Sequence, residues 1–198
     1  TVRCLILKHT KENCKNLYEK TYQEELEYLV GSQSRNNFIS NLCLRADGNI
    51  LCLYQLVEKH GEILYNTIQE KVDDTRKVFF IHGGVAAEER ERIRAITEKE
   101  NNAIIIASYG TFSTGVNIRN LHNLIFASPS KSRIRNLQSI GRGLRLGDSK
   151  THATLYDISD DLIYRDRENY TLKHFQERMK IYNEEQFDYE IHNVDLKS

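Results

Sequence analysis

The sequence predicts an α/β fold in which a mainly parallel sheet is covered by helices on both faces. Two patterns point to it. The apolar runs are strand-sized and apolar throughout, without the alternation of a half-exposed sheet, and helix-length charged or amphipathic stretches separate them. The composition agrees: 198 residues that are 39% hydrophobic and 28% charged can bury a core, and are too apolar for a disordered tail.

Along the chain, Val2 to Leu7 reads as a strand and Leu17 to Val30 as a helix. Ile50 to Tyr54 is a strand followed by a helix from Val57 to Gln69. Val78 to Ile81 is a buried strand, broken by His82-Gly83-Gly84 before a charged helix from Ala86 to Lys99. Ile104 to Ala107 is the next strand, and a loop bounded by Gly110 and Gly115 follows it. Leu124 to Ala127 closes at the only proline, Pro129, and a helix from Ser132 to Leu144 precedes a strand over Ala153 to Ile158. Leu172 to Asn183 reads as a charged helix and Tyr189 to Val194 as a late strand. With no repeat and no Pro/Gly/Ser linker, the economical reading is one domain over 1–198: a lead-in strand and helix (1–45), a core (46–160) and a tail helix with a late strand (161–198).

Several classes are excluded. The longest apolar runs fall far short of the roughly 18 to 20 residues that a bilayer requires, so no membrane partner is expected. The start, Thr1-Val-Arg-Cys-Leu-Ile-Leu, has too short an apolar run for a signal peptide, which predicts a cytoplasmic protein. A first residue Thr and a single methionine, Met179, fit an excised piece and initiator-Met removal equally. The four cysteines, at 4, 14, 43 and 52, offer no C-x-x-C pair; they read as buried reduced thiols, and no metal site is predicted.

Formal charge is zero, 28 Lys and Arg against 28 Asp and Glu, but it is unevenly spread. Residues 119–150 hold seven bases and one acid, whereas 160–190 hold nine acids and five bases. The basic stretch is therefore where an anionic ligand is sought.

Within it lies Gln138-Ser-Ile-Gly141-Arg142-Gly143-Leu-Arg145. On a helix, Arg135, Gln138, Arg142 and Arg145 fall within an arc of about 80°, opposite an apolar stripe of Ile134, Leu137, Ile140 and Leu144. Guanidiniums crowded on one arc repel one another unless an anion draws them together, and their planar forks suit phosphate oxygens. A solvated basic face is the alternative. It gives no reason for Gly141 and Gly143, each costing roughly 1 kcal/mol of helix stability against Ala.

Two further loops sit at strand carboxyl ends, where open parallel sheets bind ligands. Ser108-Tyr109-Gly110-Thr111-Phe112-Ser113-Thr114-Gly115-Val116-Asn117 offers hydroxyls and glycine amides. Val116 and Asn117 stand where a P-loop needs Lys and Ser or Thr, so it is not a Walker motif; alone, it fits a plain surface turn equally well. His82-Gly83-Gly84 with Arg90 offers a second phosphate contact at a helix start. Without a G-x-S-x-G elbow it is not an esterase loop, and the other histidines form no H-E-x-x-H site and read as structural or surface residues. A flavodoxin-like or nucleotide-sugar enzyme would share the α/β alternation, but the chain lacks a G-x-G-x-x-G turn and a convincing acid-base pair.

In this order the segments resemble the second RecA-like domain of superfamily 2 helicases, and among these the UvsW-type DNA helicases of T-even phages. Gln138 to Arg145 is similar to motif VI (Q-x-x-G-R-x-x-R), Ser108 to Asn117 to motif V, and His82, Gly83 and Arg90 to the H-G-(x)6-R segment; Ile50 to Leu64 is similar to motif IV more loosely. The resemblance covers about Asn49 to Asp157 and implies a three-layer RecA-like (P-loop NTPase-like) fold. It implies catalytic roles for Arg142 and Arg145 as arginine fingers, with Gln138 beside them, and nucleotide contacts from Gly115 and Asn117. For nucleic acid it implies His82, Gly83, Arg90, Ser108, Tyr109, Thr111 and Arg135, although Tyr109 stands where many relatives place a phosphate-binding Thr.

The Walker A lysine and the acidic metal-holding box of such motors lie in their first RecA-like domain, and these 198 residues contain neither. The resemblance thus implies that ATP and Mg2+ are held mainly by an N-terminal RecA-like domain of the same protein, that the chain alone is inactive, and that branched or single-stranded DNA is the other partner. The phage likeness implies a host bacterial cytoplasm. The alternative is a non-catalytic RecA-like module that binds nucleic acid or protein.

Overall fold

The computed structural model describes residues 1–113, 120–129 and 153–197. Among the described residues, seven strands form one sheet: β1 (Val2–Lys8), β2 (Ile50–Tyr54), β3 (Val78–Ile81), β4 (Ile104–Ser108), β5 (Asn123–Phe126), β6 (Thr154–Asp161) and β7 (Tyr189–Asp195). Their order is β3-β4-β2-β5-β6-β1-β7, and every pairing is parallel. The first strand therefore lies between the last two, and the expected lead-in and tail strands share the sheet with the central run.

The strand residues divide by parity between the two faces. On one face Leu51, Leu53, Ile105, Leu124 and Phe126 pack with Ile93 of α5 (Ala87–Thr97) and with Leu172, Phe175 and Tyr182 of α7 (Tyr170–Glu184). On the other, Ile50, Cys52, Ile104, Ile106 and Ile125 pack with Ile39 and Cys43 of α3 (Gln33–Arg45) and with Leu64 and Ile68 of α4 (Glu62–Lys71). This is the three-layer arrangement that unbroken apolar runs require. All four cysteines are buried free thiols.

Several helices differ from expectation. The helix expected over Leu17 to Val30 starts only at Tyr22, as α2 (Tyr22–Gly31), and an unforeseen helix, α1 (Lys11–Leu17), precedes it; the two are parted where Glu19 takes a left-handed φ of 65° and Thr21 caps α2 through the Glu24 N–H. Helix α3 was not foreseen, because its buried face mixes Arg35, Asn36 and Ser40 with Ile39 and Cys43 and so blurs the apolar period. The helix expected from Val57 begins as a π-helical turn, Val57–Gly61, before α4. Gly61 is required there: a Cβ would lie 2.6 Å from Cε2 of the Tyr54 ring. The start of the expected Gly110 to Gly115 loop is a short helix, α6 (Tyr109–Ser113). The expected helix over 132–144 lies outside the described residues.

Glu25 joins the lead-in to the tail. Its carboxylate accepts from the Tyr170 and Thr171 N–H groups at 3.1 and 2.8 Å, capping α7 where its dipole favours negative charge. Among the described residues no helix is long and apolar enough to cross a membrane.

Candidate functional site

Because all seven strands run parallel, their carboxyl ends share one edge, and the loops singled out by sequence leave from it. His82 directly follows β3 and is half-buried; its Nδ1 accepts the Gly84 N–H at 3.0 Å, and its ring lies 5.3 Å from that of Phe80. That bond tightens the His82-Gly83-Gly84 turn and leaves Gly83 exposed, with nothing within 4 Å of where a Cβ would stand. Arg90 follows in α5, half-buried, and among the described residues its buried Nε has no hydrogen-bond partner.

β4 ends at Ser108, whose Oγ accepts the Thr111 N–H at 3.2 Å and lies 2.6 Å from Thr111 Oγ1. Ser108 thus caps α6, which explains why the segment coils into a helix. Tyr109 turns inward: its side chain is 4% exposed, its ring meets Phe126 edge-on, and its hydroxyl donates to the Ser128 carbonyl at 2.9 Å. The phenol is an internal strut and is not displayed to a ligand on the surface. Thr111 is buried as well, so Ser108 is the more accessible hydroxyl of this pair.

Gly115, Asn117, Arg135, Gln138, Arg142 and Arg145 all lie outside the described residues. The structure does describe the strand end from which the arginine-bearing segment departs. Ser128, just before Pro129, is fully buried, and its Oγ accepts the Gln55 N–H at 2.9 Å. The same Oγ meets Nδ1 of His60, whose Nε2 lies 2.9 Å from Asn36 Oδ1. An amide oxygen only accepts, so Nε2 carries the imidazole proton and the Ser128 hydroxyl donates to Nδ1. Asn36 donates in turn to the Val30 carbonyl at 2.9 Å. Burial, reinforced by the nearby Arg35 charge and only partly opposed by Asp160, lowers the His60 pKa to about 3, so the ring is neutral.

One residue earlier, the Ala127 carbonyl accepts from Arg35 Nη1 at 2.7 Å, and Arg35 Nε donates to Asp160 at 2.9 Å. His9, after β1, places Nε2 2.8 Å from the same carboxylate and Nδ1 2.9 Å from the Tyr28 hydroxyl. Burial resists charge on Asp160, but Arg35 and His9 outweigh it and hold the carboxyl well below the usual range. The edge is therefore built in two tiers: exposed or half-exposed groups at His82, Gly83, Arg90 and Ser108, and beneath them a buried polar lattice fixing the ends of β1, β2, β4, β5 and β6.

Sequence reasoning missed that lattice. Arg35, Asn36, His60, Ser128 and Asp160 are far apart in the chain and individually ordinary; the one local sign was a Ser-Pro pair closing an apolar run. Among the described residues, no group of three or more His, Cys, Asp or Glu side chains is placed to hold a metal ion.

Comparison with known proteins bears on the same segments. The helicase conserved C-terminal domain family matches residues 33–147. The ATP-dependent DNA helicase UvsW of Enterobacteria phage T4 is 34% identical over 98% of this chain, and the chain spans 41% of that protein. The crystal structure of T4 UvsW superposes with a TM-score of 0.84, covering 99% of this chain and 42% of that one. A putative ATP-dependent helicase of Saccharomyces cerevisiae, IRC3, is 36% identical over 60 residues, which is 30% of this chain and 9% of that protein. The C-terminal domain of the DEAD-box protein Dbp5 shares the fold, with a TM-score of 0.60 at 13% identity over 98% of this chain and 91% of its own.

Proposed function

The chain belongs to the helicase conserved C-terminal domain family, and on that premise we propose that it is the C-terminal motor half of an ATP-dependent DNA helicase. It forms one RecA-like unit over 1–198 and works in the cytoplasm on branched or single-stranded DNA in recombination, repair and replication. One observation carries this reading: the likeness to T4 UvsW runs through 98% of the chain in sequence and 99% in fold, so it is not confined to the short motifs.

In this reading the chain supplies groups to a cleft whose other wall is an N-terminal RecA-like domain of the same protein. ATP is the substrate, and Mg2+, held with the triphosphate mainly by that other domain, neutralises phosphate charge. Arg142 and Arg145 neutralise charge developing on the transferred γ-phosphoryl, Gln138 orients beside them, and Gly115 and Asn117 approach the nucleotide. Arg90, His82, Gly83 and Ser108, with Arg135, line the DNA side, where cations and free N–H groups suit a phosphate backbone, and Thr111, itself buried, holds Ser108 from beneath. Tyr109 serves that side from within, since its hydroxyl is committed to Ser128. Domain closure would bring the two walls together and reopening would shift the grip on DNA.

The test is ATP hydrolysis by the full-length protein with and without DNA. DNA-stimulated turnover supports the motor; DNA binding without turnover would favour a non-catalytic binding module. The 198-residue chain alone is expected to hydrolyse no ATP.

A further inference from the structure

Ser128 is tied to two of the loops that leave the carboxyl edge. Its carbonyl accepts from Tyr109, the first residue of α6, and its hydroxyl joins Gln55, directly after β2, to His60 in the π-helical turn. Tyr109 is buried at 4% exposure and both Ser128 and His60 at 0%, whereas Gln55 is exposed and contributes only its backbone N–H. Such a chain transmits displacement well: close-packed interiors shift between discrete arrangements and do not deform smoothly, and an unmade buried hydrogen bond is costly. A displacement of α6 that pulls the phenol away must therefore either drag the end of β5 with it or leave the Ser128 carbonyl unsatisfied.

The position of Ser128 gives that strain a consequence. On one side of the contact is the segment Ser108 to Asn117, and on the other the chain continues through Pro129 toward Gln138, Arg142 and Arg145. We infer that Tyr109, Ser128 and His60 are positioning residues that couple DNA engagement by the Ser108 to Asn117 segment to placement of the arginine fingers, the Tyr109 hydroxyl being the joint between them. This rests on the motor reading above and adds to it the route by which DNA raises ATP turnover. The π-helical turn fits the assignment. It is the element that aims His60 at Ser128, and the close approach of Gly61 to Tyr54 locks it in register.

The experiment measures ATP turnover of the full-length protein against single-stranded DNA concentration, for the unsubstituted protein, Tyr109→Phe and Tyr28→Phe. Tyr28→Phe also deletes a phenol hydroxyl, one paired with His9 at 2.9 Å, which makes no bond to Ser128 and reaches the neighbouring Ala127 carbonyl only through His9, Asp160 and Arg35. Tyr109→Phe should lower the ratio of DNA-saturated to DNA-free turnover by about tenfold, the factor that one lost hydrogen bond of roughly 1.4 kcal/mol represents. The DNA concentration giving half-stimulation should shift by less than about twofold, since the phenol is buried and makes no DNA contact. Tyr28→Phe should leave the ratio unchanged. Ser128→Ala should lower it as Tyr109→Phe does, and Ser128→Thr, which keeps the hydroxyl, should restore it. An unchanged ratio in Tyr109→Phe, or an equal loss in Tyr28→Phe, overturns the coupling role while leaving the motor intact. No stimulation in the unsubstituted protein overturns both.

Discussion

The Arg178 guanidinium meets the Asp157 carboxylate side-on, Nε donating to Oδ2 at 2.8 Å and Nη2 to Oδ1 at 2.9 Å, with both side chains fully buried. The same Nη2 donates to Ser159 Oγ at 2.7 Å, and the Tyr182 hydroxyl donates to Asp157. This cluster fixes α7 to the middle of β6. Removing one partner strands a buried charge, so Arg178→Ala should lower unfolding free energy by about 3–5 kcal/mol. Replacing the whole cluster, Arg178→Met and Asp157→Leu together with Tyr182→Phe and Ser159→Ala so that no buried hydroxyl is left unpaired, should recover most of the loss. Urea denaturation of the three proteins checks it.

His60 makes stability depend on pH. Its folded pKa, about 3, lies below the ordinary histidine value, so between these limits the unfolded chain binds the extra proton. Stability then rises with pH, and acidification from 7 to 4.5 should cost up to about 1.4 kcal/mol per unit below roughly pH 6.5. Asp160 acts in the same direction, but only in more acid solution, where an unfolded aspartate takes its proton. The slope above pH 4.5 should therefore flatten in His60→Gln, as thermal melts across that range will report.

Two glycines should respond oppositely to alanine. In Gly61→Ala the new Cβ meets the buried Tyr54 ring at 2.6 Å, and overpacking of this kind costs roughly 1–3 kcal/mol. Gly83→Ala meets nothing within 4 Å and should leave stability within about 0.5 kcal/mol. If the Gly83 N–H lies against a DNA backbone as proposed, that added methyl should weaken DNA binding about threefold to tenfold, a loss on the scale of one hydrogen bond. Calorimetry and DNA titration of the same two variants separate the effects.

The parts of this fold that could be read from sequence are those where one physical demand dominates. β2, β4 and β5 are buried on both faces, so Ile50 to Tyr54, Ile104 to Ala107 and Leu124 to Ala127 carry no charged residue and announce themselves. α3 stayed hidden because Arg35 and Asn36 occupy buried positions for hydrogen bonding and Ser40 is buried beside them. α6 stayed hidden because its start depends on a cap from Ser108 within a glycine-bounded stretch. His82, Gly83 and Ser108 could be placed at strand ends beforehand. The inward turn of Tyr109 could not, since its partner Ser128 lies just beyond the end of another strand, β5.

The most direct test of the account is the rate of DNA-stimulated ATP hydrolysis in the full-length protein carrying Arg142→Ala or Arg145→Ala, measured beside its DNA affinity. Loss of an arginine finger should reduce turnover by about 10³-fold or more, with DNA affinity within about threefold of the unsubstituted protein if these guanidiniums serve the nucleotide and not the strand. Turnover unchanged in both variants would contradict it.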